Sequence, residues 1–476
     1  MVDDKERRER KLQRARARRR RVLCVRAALG VGILVIAALA WVIGNSIAEK
    51  NKHKKAEQEL EEAYAAGEET INGFCQEYIQ KNGLEDVGQQ ESFSDWLLNK
   101  WGKNYQIAMV EKLSAGLQER DFYELTGNSL TVLADEYLGR LNEENHIYQR
   151  EGSGQGQAVL TFAGDLCLAE EGFVLDHYQE EKGLSSSISG EILDETNGAD
   201  VFFLNHEYCV SERGEPLQGK MYTFRADPGR MKILEEMGTD IVSLANNHVY
   251  DYGAEAMLDT VDYLDEAQIP YVGGGRNYQE AAEPVYFVVN GMKIGYVAAT
   301  RAEKTRYTPE ATEESPGVLL TYDTEAYNQV IEEAARQCDY LVAYVHWGTE
   351  DSDQYEEYQH EMAEEFFASG ADIIVGGHPH VLQGIEYLEE KPVVYSMGDF
   401  WFNDEDKYTG LLEVQISIDG LQEMRFVPCR QVNYTTQYLS DAQEQRELYD
   451  YLEELSPNVS IDDNGVIKEE AEVSSE

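Results

Sequence analysis

The sequence predicts an α/β domain with a mixed sheet, preceded by a transmembrane helix and a helical module. Three observations lead to this prediction. Between about residues 157 and 435, short apolar runs typical of strands alternate with amphipathic runs typical of helices. Polar segments containing Gly, Asp, Asn and His follow directly after several strand runs. Near the N-terminus, a long apolar stretch follows a dense block of basic residues.

The charge of the chain is large and uneven. The 476 residues carry a formal net charge of -49 at pH 7, yet residues 1–21 contain eleven Lys and Arg against four acids. The remaining chain carries 30 basic and 86 acidic residues. Because so acidic a surface repels phosphate backbones, the charge excludes nucleic-acid binding by the main part of the protein.

Residues 22–47 are predicted to form a transmembrane helix. Arg26 is the only full charge in this stretch, and an apolar helix of about 20 residues crosses the hydrocarbon core of a membrane. The basic segment 1–21 then lies in the cytoplasm, and the main domain is extracellular on a single-pass anchor. A cleaved signal peptide is the alternative, but Ser46-Ile47-Ala48 is a poor cleavage site.

Three regions and a short linker follow the anchor. Residues 48–150 are predicted to form a helical stalk or module, because good helix formers recur there with an amphipathic period. Residues 151–156 form a Gly-rich linker, and residues 157–435 form the α/β domain. Residues 436–476 are predicted to contain a helix at 441–455 and then an acidic, disordered tail.

Within the domain, each element is predicted from its apolar period. The strands are expected at residues 158–163, 201–204, 240–244, 285–289, 294–297, 340–345, 372–375, 393–395, 411–418 and 424–428. The helices are expected at residues 227–237, 254–267, 324–337 and 354–368. This alternation favours largely parallel strands, and ligands then bind beyond the carboxyl ends of those strands.

Candidate ligands recur at this place. Five of the nine histidines lie in segments that directly follow a strand. The residues that could bind a metal there are Asp165, Glu207, Asn247, His346, His378 and His380. Because imidazole is among the donors, Zn, Mn or Fe suits the set better than Ca or Mg. The sequence therefore predicts a divalent metal site at the strand ends.

Several of these residues have alternative interpretations. Asp165 could serve only as a turn residue or helix N-cap, and Asp251 as an N-cap or a partner of a ligand. His378-Pro379-His380 is a stronger signal, because an extended segment would point both imidazoles to one side. The role of His206 stays open, and so do those of Glu350 and Asp399.

A group of cations follows the second strand end. Arg213, Lys220 and Arg225 could bind the phosphate or carboxylate groups of a substrate. The alternative is that they balance nearby acids. Of the six cysteines, Cys167 and Cys209 lie near the same strand ends and could pair, although two buried free thiols are favoured.

Taken together, the strand-end motifs resemble those of the CapA capsule-biosynthesis proteins, relatives of the calcineurin-like metallophosphatases. The matching segments are Phe162-Ala163-Gly164-Asp165, Asn205-His206-Glu207, Ala245-Asn246-Asn247-His248-x-x-Asp251-x-Gly253, His346-Trp347-Gly348-x-Glu350, Gly377-His378-Pro379-His380-Val381-x-Gln383 and Tyr395-Ser396-Met397-Gly398-Asp399-Phe400. The resemblance implies a four-layer α/β/β/α sandwich and a role in making or exporting an anionic envelope polymer such as poly-γ-glutamate. It also implies that the six candidate ligands match metal positions of the superfamily, and that His248 matches its transition-state acid.

The sequence departs from the family pattern at three places. Asp165-Leu166-Cys167 lacks the histidine of the usual Asp-x-His segment, which leaves the number of metal ions open. His206 replaces a leucine that is common in CapA proteins, and could supply a nitrogen ligand instead. Asp399 stands where an asparagine is frequent.

Three functions are compatible with these motifs. One is a metal-dependent hydrolase of phosphoesters or amides, with His248 and Asp251 as catalytic residues. The second is a non-catalytic subunit of a polymer synthase or export complex. The third is a surface phosphoesterase unrelated to capsule, because a fold and its site do not fix the substrate.

Overall fold

The computed structural model describes residues 140–154, 156–170, 174–303 and 306–470, together with residues 123, 127–129, 131, 132 and 135. The predicted cytoplasmic segment 1–21, the predicted transmembrane helix 22–47 and most of the predicted helical module 48–150 lie outside these residues. Within the described part of the chain, no helix combines the length and apolar character needed to cross a membrane.

The described strands run in chain order as follows: β1 (Ile147–Arg150), β2 (Gln157–Leu166), β3 (Val201–His206), β4 (Cys209–Val210), β5 (Arg225–Ala226), β6 (Ile241–Ser243), β7 (Tyr271–Val272), β8 (Gly274–Gly275), β9 (Val285–Val289), β10 (Met292–Thr300), β11 (Gly317–Val318), β12 (Tyr340–His346), β13 (Ile373–Gly377), β14 (Ile385–Leu388), β15 (Lys391–Val394), β16 (Asp399–Trp401), β17 (Lys407–Ser417), β18 (Gly420–Val432), β19 (Thr435–Tyr438), β20 (Val459–Ile461) and β21 (Val466–Glu469). The described α-helices are α1 (Gly190–Gly198), α2 (Met231–Glu236), α3 (Gly253–Glu266), α4 (Tyr278–Ala281), α5 (Glu325–Ala335), α6 (Glu357–Ser369) and α7 (Ala442–Leu455).

The chain divides into two compact units. The first comprises residues 1–156, 286–294 and 336–339. In it, β1 runs parallel to β9, and Tyr148 packs on Phe287 with ring centroids 5.6 Å apart. The helical module was predicted to extend to residue 150, and its last four residues are instead a strand. Its side chains become more exposed from buried Ile147 to Arg150, and all four residues pair in register with β9, so this pairing overrides local helix propensity.

The second unit comprises residues 157–285, 295–335 and 340–476 and contains two large sheets. One has the strand order β20-β21-β18-β17-β2-β3-β6-β7, and β16 and β19 pair with β2 and β18. The other contains β10, β12, β13, β15 and β14 in that order. Strands β2, β3, β6 and β7 are mutually parallel, as are β12, β13 and β15, whereas β17 and β18 are antiparallel. The predicted mixed α/β architecture is confirmed.

Aromatic side chains connect the two sheets of this unit. Phe203 on β3 stacks on Tyr296 of β10, with centroids 6.0 Å apart, and contacts Tyr344 of β12 at 5.2 Å. Phe162 on β2 also contacts Tyr296, at 6.5 Å. All four rings are buried, and an aromatic side chain buries roughly 150–250 Å². The inner faces of the sheets therefore form one core.

The C-terminal region differs from its prediction. The helix expected at 441–455 is present as α7, and the Asp441 side chain caps it by accepting from the Gln443 and Glu444 amides. The following residues were predicted to be a disordered tail, but β20 and β21 pair with each other and β21 pairs with β18. Val459, Ile461 and Ile467 are buried, and this apolar burial outweighs the acidic composition. Within residues 436–476, only residues 471–476 lie outside the described part.

Candidate metal centre

The predicted ligands lie at the carboxyl ends of parallel strands in both sheets. Asp165 is the penultimate residue of β2, and Glu207 follows β3 directly. His346 ends β12, and His378 follows β13. Because the strands of each sheet are parallel and in register, their ends meet at one edge. The fold therefore delivers donors from widely separated parts of the sequence to one place.

A first group of donors consists of Glu207, His346 and His378. Their ligand atoms all lie within 4.8 Å of one another, and all three side chains are buried. Asn247 belongs to the same group, because its Oδ1 lies 2.9 Å from Nε2 of His346. Two imidazoles, a carboxylate and an amide oxygen suit a transition metal.

A second group of donors consists of Asp165, His380 and Asp399, whose ligand atoms also lie within 4.8 Å of one another. Nδ1 of His380 is 2.8 Å from Oδ1 of Asp399 and 3.8 Å from Oδ2 of Asp165. Nε2 of His380 is 3.9 Å from Oε1 of Glu207, so the two groups adjoin.

Asn205 holds the carboxylates of the two groups in place. Its Nδ2 donates to Oδ1 of Asp165 at 2.8 Å and to Oε2 of Glu207 at 3.0 Å. Asn246 in turn donates to Oδ1 of Asn205 at 3.1 Å. The main-chain amide of His378 donates to Oδ2 of Asp165 at 3.0 Å. These bonds fix carboxylates that would otherwise repel each other.

The electrostatics of the centre favour a cation. Burial, together with the Asp165 charge, raises the pKa of Glu207 well above its usual range, and burial raises the pKa of Asp165. Burial opposes the charged form of His380, but the surrounding carboxylates, above all Asp399, outweigh it and raise the pKa of His380 to about 10. Burial lowers the pKa of His346 and His378, so both imidazoles are neutral and can act as ligands.

Two polar atoms in the centre have no hydrogen-bond partner among the described residues. They are Oε1 of Glu207 and Nδ1 of His378, both buried. A buried polar atom without a partner costs about 1–3 kcal/mol, and a metal ion bound to it removes that cost. The residues present therefore fit a divalent metal.

His248 lies at the edge of the centre and is paired with Asp251. Its Nδ1 is 2.7 Å from Oδ2 of Asp251, and its Nε2 is 3.9 Å from Oε1 of Glu207. Phe224 packs on the imidazole with ring centroids 4.1 Å apart. The structure thus brings together the two residues predicted to be catalytic and the six predicted to bind metal.

Comparison with known proteins places this chain in a family. The family described as "Bacterial capsule synthesis protein PGA_cap" matches residues 159–404, which is more than half of the chain and includes both donor groups. The chain belongs to the PGA_cap family. It is 32% identical over 206 residues to the capsule biosynthesis protein CapA of Bacillus anthracis, covering 42% of this chain and 49% of that protein. It is 31% identical over 273 residues to the PGA biosynthesis protein CapA of Bacillus subtilis (strain 168), covering 56% and 70%. This chain therefore spans about half of the first relative's length.

Two solved structures show a limited likeness to this PGA_cap protein. TT1561 of Thermus thermophilus aligns with a TM-score of 0.31 and 11% identity over 55% of this chain and 99% of that one. The 5'-nucleotidase of Candida albicans SC5314 aligns with a TM-score of 0.33 and 13% identity over 59% of this chain and 54% of that one.

The three predicted substrate-binding cations of the PGA_cap protein are engaged with protein groups. Lys220 is buried and its ammonium pairs with Asp251, 2.7 Å from Oδ1. Arg213 is half exposed and pairs with Asp259 on α3. Arg225 stacks on the ring of Tyr252 at 4.1 Å. Lys220 and Arg213 therefore balance nearby acids, which is the alternative that the sequence raised, and Arg225 packs on an aromatic ring. These contacts fit that alternative better than a role in binding substrate.

The His-Pro-His segment of the PGA_cap protein is not extended as predicted. His378 and His380 both adopt positive φ values, 98° and 58°. The imidazoles nevertheless lie in the same centre, with ring centroids 6.1 Å apart. In this left-handed backbone conformation the amide of His378 donates to Oδ2 of Asp165.

His206 and the cysteines lie outside the donor groups. His206 stacks on Tyr208 with ring centroids 3.7 Å apart, and burial lowers its pKa to about 3. As the last residue of β3, its side chain points away from those of Asn205 and Glu207, so it does not supply the nitrogen ligand considered above. Cys167 and Cys209 are both buried and free in the described part of the chain.

Two glycines permit the close approach of strands at the centre. A Cβ on Gly164 would overlap the carbonyl oxygen of Gly398. A Cβ on Gly377 would lie 2.6 Å from Oδ1 of Asp165 and would overlap the hydroxyl of Tyr344. Only glycine fits at these positions, which explains why each stands beside a metal-ligand candidate.

Two residues of the centre were missed by sequence reasoning. Asn205 was noticed only as a neighbour of Glu207, and its bridging hydrogen bonds depend on the distance between β2 and β3. The sequence leaves the role of Asp399 open; in the structure it reaches the centre through β16, which pairs with β2 beside Asp165. Its position after Gly398 was the available signal, since the other strand-end aspartate, Asp165, also follows a glycine.

Proposed function

We propose that this PGA_cap protein acts in the synthesis or export of an anionic capsule polymer such as poly-γ-glutamate, and that its strand-end centre is a metal-dependent hydrolase site. The supporting observation is the convergence of Glu207, Asn247, His346 and His378 beside the His248–Asp251 pair. A set of buried donors next to an oriented imidazole is the arrangement needed to hydrolyse a phosphoester or an amide.

The proposed metal is a divalent ion such as Mn, Zn or Fe. Glu207, Asn247, His346 and His378 would hold it, with Asp165, His380 and Asp399 adjacent. When bound, such an ion supplies a Lewis acid that polarises a phosphoryl or carbonyl oxygen. Asn205 and the amide of His378 keep the carboxylates oriented for this task.

His248 would move the proton in this reaction. Its Nδ1 is bound to Asp251, so Nε2 is the ring atom that faces the metal centre. When it carries a proton on both ring nitrogens, an imidazole whose Nδ1–H is held by a buried carboxylate can donate the Nε2 proton to a departing oxygen or nitrogen and become neutral. Asp251 touches His248 but no ligand candidate among the described residues, so its role is to orient the ring.

The protein's charge makes a metal important for an anionic substrate. The whole chain carries a net charge of -49, so long-range attraction does not gather a polyanion. Near the centre, Lys220 pairs with Asp251 and Glu303, and Lys407 pairs with Asp351, Asp399 and Glu405. Because both lysines are already paired with acids, a metal ion would supply the positive charge that an anionic substrate needs.

The proposal includes the location and architecture predicted from the sequence. Residues 22–47 would anchor the chain in the cell membrane, with residues 1–21 cytoplasmic and the domain extracellular. There its partners would be the proteins of an envelope polymer synthase. Contacts of Phe203 with Tyr296 and Tyr344 join the sheets, while the hydroxyl of Tyr327 on α5 donates to the Tyr344 carbonyl of β12. These contacts support the four-layer α/β/β/α arrangement.

A hydrolysis assay combined with a capsule assay tests this proposal. Full-length protein loaded with Mn or Zn is expected to hydrolyse phosphoesters or γ-glutamyl amides, and His346→Ala is expected to abolish both hydrolysis and polymer formation in cells. Retained polymer in the His346→Ala strain, with polymer lost on deletion of residues 48–150, would instead establish a non-catalytic subunit. Hydrolysis lost in His346→Ala without any change in polymer would establish a phosphoesterase unrelated to capsule.

A further inference from the structure

Lys220 is buried beside the metal centre, in a segment that otherwise reaches the surface. Its side chain is only 3% exposed, whereas the next two residues, Met221 and Tyr222, are 85% and 62% exposed. The Lys220 ammonium lies 2.7 Å from Oδ1 of Asp251 and 3.0 Å from Oε2 of Glu303, and it donates to the main-chain carbonyl of Asn247. A long cationic side chain is thus folded inward while its neighbours point to solvent.

Lys220 neutralises the charges of two buried carboxylate oxygens, one of Asp251 and one of Glu303. Apart from this ammonium, Oδ1 of Asp251 and Oε2 of Glu303 are buried and without a hydrogen-bond donor among the described residues. Breaking a buried ion pair by removing one partner leaves an uncompensated charge, which is far more costly than losing a surface pair. Loss of Lys220 would therefore act first on the Asp251 carboxylate.

Other residues of the segment 217–224 also hydrogen-bond to Asp251. The amide of Leu217 donates to the Asp251 carbonyl at 2.8 Å, and the amide of Phe224 donates to Oδ2 of Asp251 at 2.7 Å. Residues 217–224 thus surround Asp251, with Lys220 on one carboxylate oxygen and His248 on the other. Each oxygen has its own partner, so the carboxylate plane is fixed.

We propose that Lys220 is a positioning residue: it holds the Asp251 carboxylate in place to accept the Nδ1–H of His248, so that the ring presents Nε2 to the metal centre. The role in proton transfer rests on the hydrolase function proposed above, but the placement of the His248 proton does not. Lys220 also touches the carbonyl of Asn247, so its effect on His248 has to be separated from any effect on metal binding.

The test compares full-length wild type with Lys220→Met, Lys220→Arg and Lys232→Met. Lys232 is an exposed lysine that also pairs with a glutamate, so its substitution is a matched control. Nitrogen-15 NMR of protein labelled at histidine reports the Nδ1-bound proton of His248, assigned from its loss in His248→Asn. Metal content and the kcat and KM for phenyl phosphate and p-nitrophenyl phosphate are measured on the same samples.

The Nδ1-bound proton signal of His248 is expected to disappear in Lys220→Met, to return in Lys220→Arg and to persist in Lys232→Met. Metal content and KM are expected to stay unchanged in Lys220→Met. The kcat for phenyl phosphate is expected to fall about 10- to 100-fold, and to fall less for p-nitrophenyl phosphate, whose leaving group needs no proton. Lys220→Gln, which keeps a neutral donor, replaces Lys220→Met if that variant fails to fold.

Two results would overturn this role. One is an unchanged His248 signal in Lys220→Met. The other is a loss of metal in parallel with the loss of kcat, which would show that Lys220 supports metal binding through its contact with Asn247. If wild type hydrolyses neither ester, the proposed hydrolase function fails, and the NMR comparison alone still decides whether Lys220 positions His248.

Discussion

Nε2 of His346 lies 2.9 Å from Oδ1 of Asn247, although they are 99 positions apart in the chain: His346 ends β12, and Asn247 follows β6 of the other sheet. Because these two potential ligand atoms are buried and already close together, the metal site is preformed. Because the fold fixes both side chains, we expect metal binding to stabilise the folded state without reorganising it.

Chelation is expected to lower the stability of the wild-type protein. Metal that binds only the folded state at about a hundred times its Kd adds about 3 kcal/mol to the free energy of unfolding. Thermal unfolding with and without EDTA measures the effect. His378→Ala, which removes one donor of the first group, should show little difference between the two conditions; an equal EDTA effect in both proteins would argue against this donor set.

Replacing Asn205 by alanine is expected to destabilise the metal-free protein by about 1–3 kcal/mol, because Asp165 and Glu207 both lose a buried donor. Urea denaturation in EDTA measures the change. Asn197→Ala is the control, since Asn197 is exposed and donates to the Leu193 carbonyl of its own helix. Similar unfolding midpoints for the two variants would show that Asn205 does not hold the carboxylates.

Gly377→Ala is expected to reduce metal retention, because the added methyl group presses on Asp165 and Tyr344. Gly198→Ala provides a matched control, since a Cβ there meets nothing within 4 Å. Metal content measured by mass spectrometry after gel filtration should fall in the first variant only. Full retention in Gly377→Ala would mean that the strands approach less closely than described.

Glu413 is expected to make stability depend on pH. Burial, reinforced by the neighbouring Glu195, outweighs Arg425 and raises the pKa of Glu413 to about 7. The folded state then binds more protons than the unfolded state between about pH 4.5 and 7. Stability from this group is therefore present below that window and is lost as the pH rises through it, by at most about 3 kcal/mol, because solvent screens a partly exposed carboxyl.

The variant Glu413→Gln is expected to flatten this part of the stability profile. Urea unfolding at pH 5, 6, 7 and 8 measures it, with Glu423→Gln, an exposed residue on β18, as control. A profile for Glu413→Gln that is parallel to the wild type would contradict the assignment.

Much of the centre could be predicted because its residues follow strands directly. Asp165, Glu207, His346 and His378 each stand at or next to a strand end, where apolar periodicity and a polar interruption are both visible in the sequence. Parallel pairing then brings the ends together. The prediction of mixed sheets succeeded for the same reason.

What could not be predicted depends on tertiary contacts. The roles of Asn205 and Asp399 arise from the spacing of β2 against β3 and β16, which no local pattern encodes. The inward turn of Lys220 depends on Asp251 and Glu303, which come from two other loops. Strands β20 and β21 are too short, and too closely flanked by acidic residues, to show their period, and only their pairing and burial against the sheet reveal them.

The most direct test of the metal centre is anomalous X-ray diffraction from crystals of the full-length protein loaded with Mn or Zn. Data collected at the absorption edge of the metal should show a peak bounded by Glu207, Asn247, His346 and His378. The peak should vanish in crystals of His346→Ala. A wild-type map without a peak at these side chains, or with its strongest peak elsewhere on the protein, would contradict the account.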